Sequence, residues 1–472
     1  MPSPSPTCAH ARLRVTPHPS QTRFPGVSPH DRAAAAAPTV LRRAVLDCEA
    51  AGLAADRFAA TFPGPLGLEG DDLVVDPEYP PQSFREWRGE RQRNKVGAEG
   101  RRTIYVVGPP VVEDGAQKGF MRGWTECDVK GADAKAIVGS KTNGWEKDVV
   151  EYLEAFYHGL PVKLLNASGL HFTPWDTTPS QPTKSKSRSS AKARKPKEPS
   201  YIGLRTAEEL IGIRYRAIPS AHYSHQLNLD DLLDAAISIL PDDAYALLML
   251  VDHDLYEDDD DEFVCGRAYG GSRVAVVSRA RYNPLLDAEQ GVPREHAWPA
   301  SHCEKYMAEC CGKAAKKMSS KGVFAIEDSP LRLAVTAHTT LYASAMTSEQ
   351  LAGLWFSRIC RTASHELGHC FGIDHCVYYA CCMQGSASIV EDARQPPYLC
   401  PVDLQKVIRA TGAGFEERYR ALRGFCAKWE GVYMFAAWGK WIEGRLKQIE
   451  DAGQGEHYRP GPYSKVDELQ TP

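Results

Sequence analysis

The chain has 472 residues, of which 43% are hydrophobic and 25% charged, an ordinary composition for a soluble protein that can bury a sizeable core. The formal net charge of −4 argues against a dominant role at nucleic acid or at a membrane surface. No apolar run approaches the length of a membrane span. We therefore expect neither nucleic acid nor a membrane as a partner.

Residues 1–40 are rich in Pro, Ser, Ala and Arg, which predicts a disordered N-terminal segment. The segment is poor in acidic residues, as mitochondrial transit peptides are, but its prolines argue against the amphipathic helix that such a peptide needs. The chain has 14 cysteines and no secretion signal, which favours a reducing compartment. We expect the cytoplasm or nucleus in preference to the mitochondrion.

A strand, a helix and a second strand follow in order. Thr103–Val107 alternates as a strand, apolar residues at helical spacing predict a helix over about 144–158, and Pro161–Leu165 reads as the next strand. This order is the beginning of an α/β layer.

Residues 177–200 then form a basic, Ser- and Pro-containing stretch, which we interpret as a flexible insert; a nuclear-localisation or nucleic-acid patch is the alternative.

The middle of the chain predicts a further helix and further strands of the α/β layer. Asn228 suits the N-cap of a helix that runs to about Leu240, and Ala244–Val251 is an apolar run typical of a buried central strand. Residues 257–262 form an acidic loop. Ser272–Val277 predicts another strand.

Residues 285–322 look like a second insert, which we interpret as a surface loop over the core. A further metal site is the alternative, because the insert holds five residues of ligand type, although their spacing is not typical of zinc sites. They are His296, His302, Cys303, Cys310 and Cys311.

The most informative stretch, Ser364–Met383, contains the pattern H-E-x-x-H-x-x-G-x-x-H. A helix turns about 100° per residue, so His365 and His369 face one side and suit a single metal ion. Gly372 adopts positive φ at no steric cost, which ends the helix and brings His375 back as a third ligand. Three protein nitrogens leave zinc one open position, as catalytic sites do.

Glu366 follows the first histidine and points into the same cleft without being a ligand, which suits a general base. The full pattern has an accidental chance of roughly one in ten thousand at average composition. Thr347 and Gln350 predict a capping box that starts this helix. The competing interpretation is a buried helix whose histidines only bond neighbouring carbonyls, but three histidines at ligand spacing rarely pack that way.

The pattern followed by Met383 is that of the metzincin zinc peptidases. Cys376 comes straight after the third histidine, Cys381 follows, and Cys400-Pro401-Val402 comes shortly after. With these residues the chain resembles the archaemetzincin (archaelysin) family, densely over about 351–404 and more faintly back to about residue 62. The resemblance implies a catalytic zinc, a second zinc on four cysteines beside it, and Met383 as a packing base beneath the metal. It also implies an edge strand that binds an extended substrate, for which Ser272–Val277 and the region of Ala334 and Val335 are the two candidates.

The chain departs from the family at one position, because Asp403 stands where the fourth cysteine is expected. The resemblance implies Cys376, Cys381 and Cys400 as the other ligands of the second zinc. Three arrangements stay open: Asp403 completes the site, since zinc accepts a carboxylate; Cys382 takes the fourth position; or the second zinc is weak or absent. The plain alternative is a set of buried free thiols.

We expect an α/β (α+β) fold with a metzincin-like mixed twisted sheet and the active-site helix packed on it, as the resemblance implies. The predicted organisation is a catalytic domain over 41–403 and a C-terminal helical region with a frayed tail over 404–472. The predicted function is zinc-dependent hydrolysis of a peptide or protein substrate with Glu366 as general base, and the resemblance suggests aminopeptidase-like activity. The alternative is a non-catalytic zinc-binding interaction protein. The oligomeric state cannot be predicted from these features.

Overall fold

Two mixed β-sheets and fourteen helices make up the described part of the computed structural model, which confirms the predicted α/β fold. The structure describes residues 8–16, 26–37, 55–127, 144–166, 169–175, 200–218, 222–311, 323–342 and 346–454. The predicted basic insert therefore lies outside the described residues except for Ser200. Within the described ranges, no helix has both the length and the apolar composition that crossing a membrane requires.

The strands are β1 Thr103–Val107, β2 Val111–Val112, β3 Val162–Leu164, β4 His171–Thr173, β5 Ser200–Arg205, β6 Leu210–Ala217, β7 His225–Asn228, β8 Ala244–Val251, β9 Asp254–Tyr256, β10 Gly266–Tyr269 and β11 Val274–Ser278. The helices are α1 Pro29–Ala36, α2 Ala55–Ala59, α3 Asp72–Val75, α4 Phe84–Gly89, α5 Ala116–Phe120, α6 Trp145–Phe156, α7 Leu229–Ser238, α8 Glu304–Cys310, α9 Pro330–Tyr342, α10 Ser348–Cys370, α11 Ile389–Arg394, α12 Pro401–Thr411, α13 Phe415–Ala427 and α14 Tyr433–Gln454.

The five-stranded sheet has the order β10-β11-β8-β1-β3, with β10 antiparallel to β11 and the other pairs parallel. All eight residues of β8 are buried, as a continuous apolar run predicts for a strand covered on both faces. Alternate side chains of β8 point to opposite faces. Leu248 joins the core beneath α6 and α10, and Met249 joins the core shared with α7 and the second sheet.

The second sheet has the order β2-β4-β5-β6-β7-β9 and is mostly antiparallel. It continues directly into α7, whose N-cap Asn228 accepts a hydrogen bond from the Asp231 backbone N–H as its position predicts. The acidic loop 257–262 lies beside this sheet, where Arg216 donates to the carbonyl oxygens of Asp258 and Asp259. The loop is therefore attached to the sheet through its backbone.

Helix α10 carries the histidine motif through the middle of the main core. Thr347 and Gln350 form the predicted capping box, worth about 1 kcal/mol of helix stability. The helix packs on β8, β10 and β11 on one side and on α6 and α14 on others, so that 17 of its 23 residues are buried. Such extensive packing holds the histidines on a rigid element.

Both candidates for the edge strand are wrong. Val274–Ser278, the observed form of the predicted Ser272–Val277 strand, lies between β10 and β8 and is an inner strand. Ala334 and Val335 lie inside helix α9. The five-stranded sheet has two edge strands, β3 and β10, and the one nearer the histidine motif is β10. The sequence analysis did not recognise β10 because Gly-Arg-Ala-Tyr lacks the alternating apolar pattern of a strand.

The prediction of disorder over 1–40 is also wrong for the described residues 8–16 and 26–37. Leu13 and Val15 are buried, and Leu13 bridges to Cys303 of the 285–322 insert. Residues 29–36 form α1, capped by Ser28. The segment is stabilised by pairing with residues about 300 positions away, which composition alone does not report. The domain boundaries at 40 and 403 stay a prediction.

Candidate metal centre

His365 and His369 project from the last turns of α10, and the end of the helix returns His375 toward them. Gly372 has φ +71°, and its N–H donates to the His369 carbonyl while Ile373 N–H donates to Gly368. This pair of bonds is the Schellman motif, which caps a helix at a left-handed residue. The three histidine rings then lie with centroids 4.9–5.3 Å apart.

Hydrogen bonds orient the first two rings. Nδ1 of His365 lies 2.7 Å from the Cys382 carbonyl oxygen, and Nδ1 of His369 lies 2.7 Å from that of Ile373. Each Nδ1 therefore carries the proton and donates it, which leaves Nε2 as a lone pair. The two Nε2 atoms are 3.2 Å apart, a separation that suits two ligands of one cation and is repulsive without one.

The electrostatics keep these imidazoles neutral. Burial lowers the pKa of His369 to about 4 and moves the pKa of His365 well below its usual range, with the neighbouring histidines adding to the shift. Burial also lowers the pKa of His375. Metal ligation requires the neutral form of the ring, so the donor set fits a metal such as zinc.

Met383 packs against the helix at Gly368, between the first two histidines. Its side chain is fully buried, and a Cβ added at Gly368 would clash with its sulfur. The backbone N–H of Cys376 donates to the Met383 carbonyl at 2.8 Å, which joins the turn after His375 to the turn that carries the methionine. Gly368, which lies between His365 and His369, therefore leaves room for the methionine.

Glu366 lines the same cavity as the three histidines. The cavity has a volume of about 490 Å³ and is also lined by Arg267 and Ala268 of the edge strand β10. Burial raises the pKa of Glu366 to about 8, while the positive charges of Arg361 and Arg267 oppose the shift. A carboxyl group with a pKa near neutrality exchanges protons readily at physiological pH.

The edge strand approaches α10 closely because it begins at Gly266 and is followed directly by Gly270. A Cβ at Gly266 would lie 3.4 Å from Cγ of Glu366 and 2.8 Å from the Val276 oxygen, and one at Gly270 would clash with the His369 carbonyl oxygen. A side chain at either position would push the strand away from the helix. The glycines thus set the width of the cavity.

The second predicted cluster is also brought together. One ligand atom from each of Cys376, Cys381, Cys400 and Asp403 lies within 4.8 Å of the others, and all four residues are buried. Sγ of Cys376 is 3.5 Å from Sγ of Cys400, and Oδ2 of Asp403 is 3.3 Å from Sγ of Cys381. These separations suit tetrahedral zinc, whose bonds to sulfur and oxygen are about 2.0–2.3 Å.

Cys382 does not join this cluster. Its Sγ lies 3.4 Å from the Ser364 hydroxyl and 3.6 Å from the Arg361 carbonyl oxygen, on the side facing α10. Asp403 instead has a partner in Lys406, whose Nζ lies 2.9 Å from Oδ1. Burial raises the pKa of Asp403 to about 7, the neighbouring Cys376 adds to the shift, and Lys406 opposes it.

Gln82, which the sequence analysis did not identify, connects the two clusters. Its amide donates to the Gly372 carbonyl at 3.0 Å and accepts from the Asp374 backbone N–H at 3.2 Å and from Lys406 Nζ at 2.8 Å. No local pattern around residue 82 indicates this role, because its partners lie about 290–324 positions away. Tyr79, whose ring centroid is 5.4 Å from that of His375, was missed for the same reason.

Comparison with known proteins identifies a family profile in the region of these clusters, and several relatives. The profile described as Peptidase family M54 matches residues 321–409. Human archaemetzincin-2 is 32% identical over 198 residues, which cover 42% of this chain and 45% of that protein. Rat archaemetzincin-1 is 27% identical over 290 residues, covering 57% of this chain and 51% of that protein. The chain thus spans about half the length of these relatives.

A crystal structure of archaemetzincin from Methanopyrus kandleri aligns with 66% of this chain and 97% of its own, at 16% identity and a TM-score of 0.29. The match to the family profile, residues 321–409, contains both clusters. Over this segment the chain is therefore similar to the archaemetzincins and to peptidase family M54.

Proposed function

We propose that this protein is a zinc-dependent peptidase that binds its catalytic zinc through His365, His369 and His375. The observation that carries the proposal is the pair of Nε2 atoms, 3.2 Å apart, in a cavity that also contains the Glu366 carboxyl group. Three nitrogen donors beside a carboxyl group that is not a ligand suit a catalytic site and have no use in a structural one.

Zinc, when bound there, supplies a lowered pKa for a water molecule and polarises the scissile carbonyl. Glu366 accepts the proton of the attacking water and delivers it to the leaving amine, a transfer worth about 10²–10⁴-fold in rate. Its burial supports this role, because a raised pKa makes the protonated carboxyl group a usable acid near pH 7.

The edge strand β10 is the element on which we propose that the substrate binds. It pairs with β11 on one side and is the last strand in the sheet order, so its other edge is available to an extended peptide. Binding of this kind uses main-chain hydrogen bonds and is largely independent of the substrate sequence. The exposed Asp374 at the cavity suits a free α-ammonium group, which is the basis for an aminopeptidase-like preference.

We further propose that Cys376, Cys381, Cys400 and Asp403 bind a second, structural zinc. Four protein donors of this type, fully buried, leave no position for a substrate. The cluster follows the third catalytic histidine directly in sequence, so the second metal would fix the turn that positions His375. Lys406 offsets part of the negative charge that three thiolates and a carboxylate bring together.

The decisive experiment compares wild type with Glu366→Gln, in zinc content and in hydrolysis of a defined peptide mixture followed by mass spectrometry. We expect the glutamine variant to keep its zinc and to lose about 10²–10⁴-fold in rate, because the amide has no proton-accepting oxygen of comparable basicity. Peptides with free and acetylated N-termini in the same mixture test the aminopeptidase-like preference.

Glu349→Gln is the matched control, since Glu349 is an exposed residue in the first turn of the same helix. It should leave both zinc content and hydrolysis unchanged. A Glu366→Gln variant with full activity would contradict the general-base role. Wild type that contains its zinc and cleaves no peptide in the mixture would favour the non-catalytic interaction protein.

A further inference from the structure

A third group of metal-ligand residues lies away from both clusters, where residues 8–16 cross the insert that begins at residue 285. Cys8, His10 and His296 each present one ligand atom, and these atoms lie within 4.8 Å of one another. All three residues are at most 8% exposed. A buried group of this kind needs partners, because unpaired polar atoms are costly in the interior.

The hydrogen bonds of the two histidines leave one nitrogen of each without a partner among the described residues. Nε2 of His10 lies 2.9 Å from the Glu295 carbonyl oxygen, and its Nδ1 has none. Nδ1 of His296 lies 3.6 Å from the Glu295 carboxylate, and its Nε2 has none. A neutral imidazole carries a single proton, so the nitrogen facing Glu295 holds it and the other presents a lone pair.

The ring of His296 is also fixed in orientation. It stacks on Tyr306 of α8 with centroids 4.1 Å apart and planes 7° from parallel. Sγ of Cys303 lies 2.7 Å from Sγ of Cys8, and both cysteines are free thiols. The thiol of Cys8 and one nitrogen of each histidine thus come together from two distant parts of the chain, with the thiol of Cys303 beside that of Cys8.

We propose that Cys8, His10 and His296 bind a divalent transition-metal ion, with Cys303 as the fourth ligand. Thiolate and imidazole donors in equal number are the ligand set of structural zinc sites, and they disfavour magnesium and calcium, which take oxygen ligands. Zinc is therefore the ion that this site would take. The site is separate from the histidine and cysteine clusters of the peptidase motif.

Such a site would attach the N-terminal segment to the insert. The segment already pairs with it through backbone hydrogen bonds, from Arg14 N–H to the His302 oxygen at 2.8 Å and from Glu304 N–H to the Arg12 oxygen at 2.9 Å. A metal that joins Cys8 to Cys303 closes a loop of 295 positions, and closing a long loop removes much of the conformational freedom of the unfolded chain. The ion would hold in place a segment whose composition alone predicts disorder.

The test measures metal per chain on the full-length protein, purified in the presence of zinc, for wild type, Cys8→Ser and His296→Gln. We expect each variant to contain one zinc ion fewer than wild type. With cobalt(II) in place of zinc, Cys8→Ser should also lose part of the thiolate-to-metal charge-transfer absorption, because one sulfur ligand is removed.

His302→Gln and Cys310→Ser are the matched controls, since His302 is a buried histidine of the same insert and Cys310 an exposed cysteine of α8. Both should keep the metal content of wild type. Unchanged metal in Cys8→Ser and His296→Gln would overturn the proposal, and so would equal losses in the controls.

A second measurement on wild type does not depend on the folding of any variant. Alkylation of Cys8, followed by peptide mass spectrometry, should be slow in the metal-loaded protein and at least about tenfold faster once a chelator has removed the ion, since a coordinated thiolate is not free to react. Equal rates with and without chelator would overturn the site. So would a Cys8–Cys303 disulfide in protein purified in the presence of zinc, because a disulfide sulfur is no longer a thiolate ligand.

Discussion

At the scale of single residues, the proposed second zinc site is distinguished by one substitution. Asp403 stands where the resemblance implies a fourth cysteine, and Oδ1 of its carboxylate lies 2.9 Å from Nζ of Lys406. A carboxylate has the same formal charge as a thiolate, so the exchange conserves the charge of the donor set. Lys406 is itself buried, so its charge needs a negative partner at position 403 for the chain to fold stably.

Replacing Asp403 by asparagine should therefore remove the second zinc and leave Lys406 as a buried charge without its partner. Breaking a buried pair in this way costs about 3–5 kcal/mol in the free energy of unfolding. Replacing Asp403 by cysteine keeps a negative donor and should retain the metal. Elemental analysis and denaturant unfolding of the two variants measure both effects; equal zinc content in wild type and Asp403→Asn would show that the carboxylate is not a ligand.

At the scale of elements, the sequence predicted the helices and strands whose formation follows from the chemistry of their own residues. The capping box of α10, the cap of α7 at Asn228 and the buried strand β8 follow from local chemistry, and the histidine motif follows from helix geometry. Strand β10 could not be predicted in this way, because it is four residues long and exists through its pairing with β11. The order of residues 8–16 could not be predicted for the same reason, because their partners lie in the distant insert.

The close approach of β10 to α10 can be tested at Gly270. Gly270→Ala places a methyl group against the His369 carbonyl oxygen, which is backbone and cannot move aside cheaply. We expect a loss of about 1–3 kcal/mol in the free energy of unfolding, as overpacking typically costs, together with weaker peptide hydrolysis because the strand shifts over the cavity. Thermal unfolding and the peptide assay measure the two effects.

Gly271→Ala is the matched control, because a Cβ at the next position of the same turn meets open space. Its free energy of unfolding should stay within about 0.5 kcal/mol of wild type. Equal behaviour of the two alanine variants would mean that the approach of the strand to the helix does not depend on the glycine.

At the scale of the whole molecule, the motif near residue 370 depends on residues from the first quarter of the chain. Trp87 donates from Nε1 to the Phe371 carbonyl at 2.8 Å, and Gln82 bonds both the turn after Gly372 and the lysine of the cysteine cluster. The family profile begins only at residue 321, so these supports lie outside the segment by which the family is recognised. A fragment restricted to the profile would lack them.

Gln82→Ala should weaken both clusters at once. It removes the partners of the Gly372 carbonyl, the Asp374 N–H and the Lys406 ammonium group, and each buried group left unsatisfied costs about 1–3 kcal/mol. We expect a lower free energy of unfolding and faster loss of zinc to a chelator. Gln448→Ala is the control, because Gln448 is equally buried but bonds Thr61 and Arg445, away from both clusters. It should lower stability without changing the rate of zinc release, so equal release rates in the two variants would contradict the connecting role of Gln82.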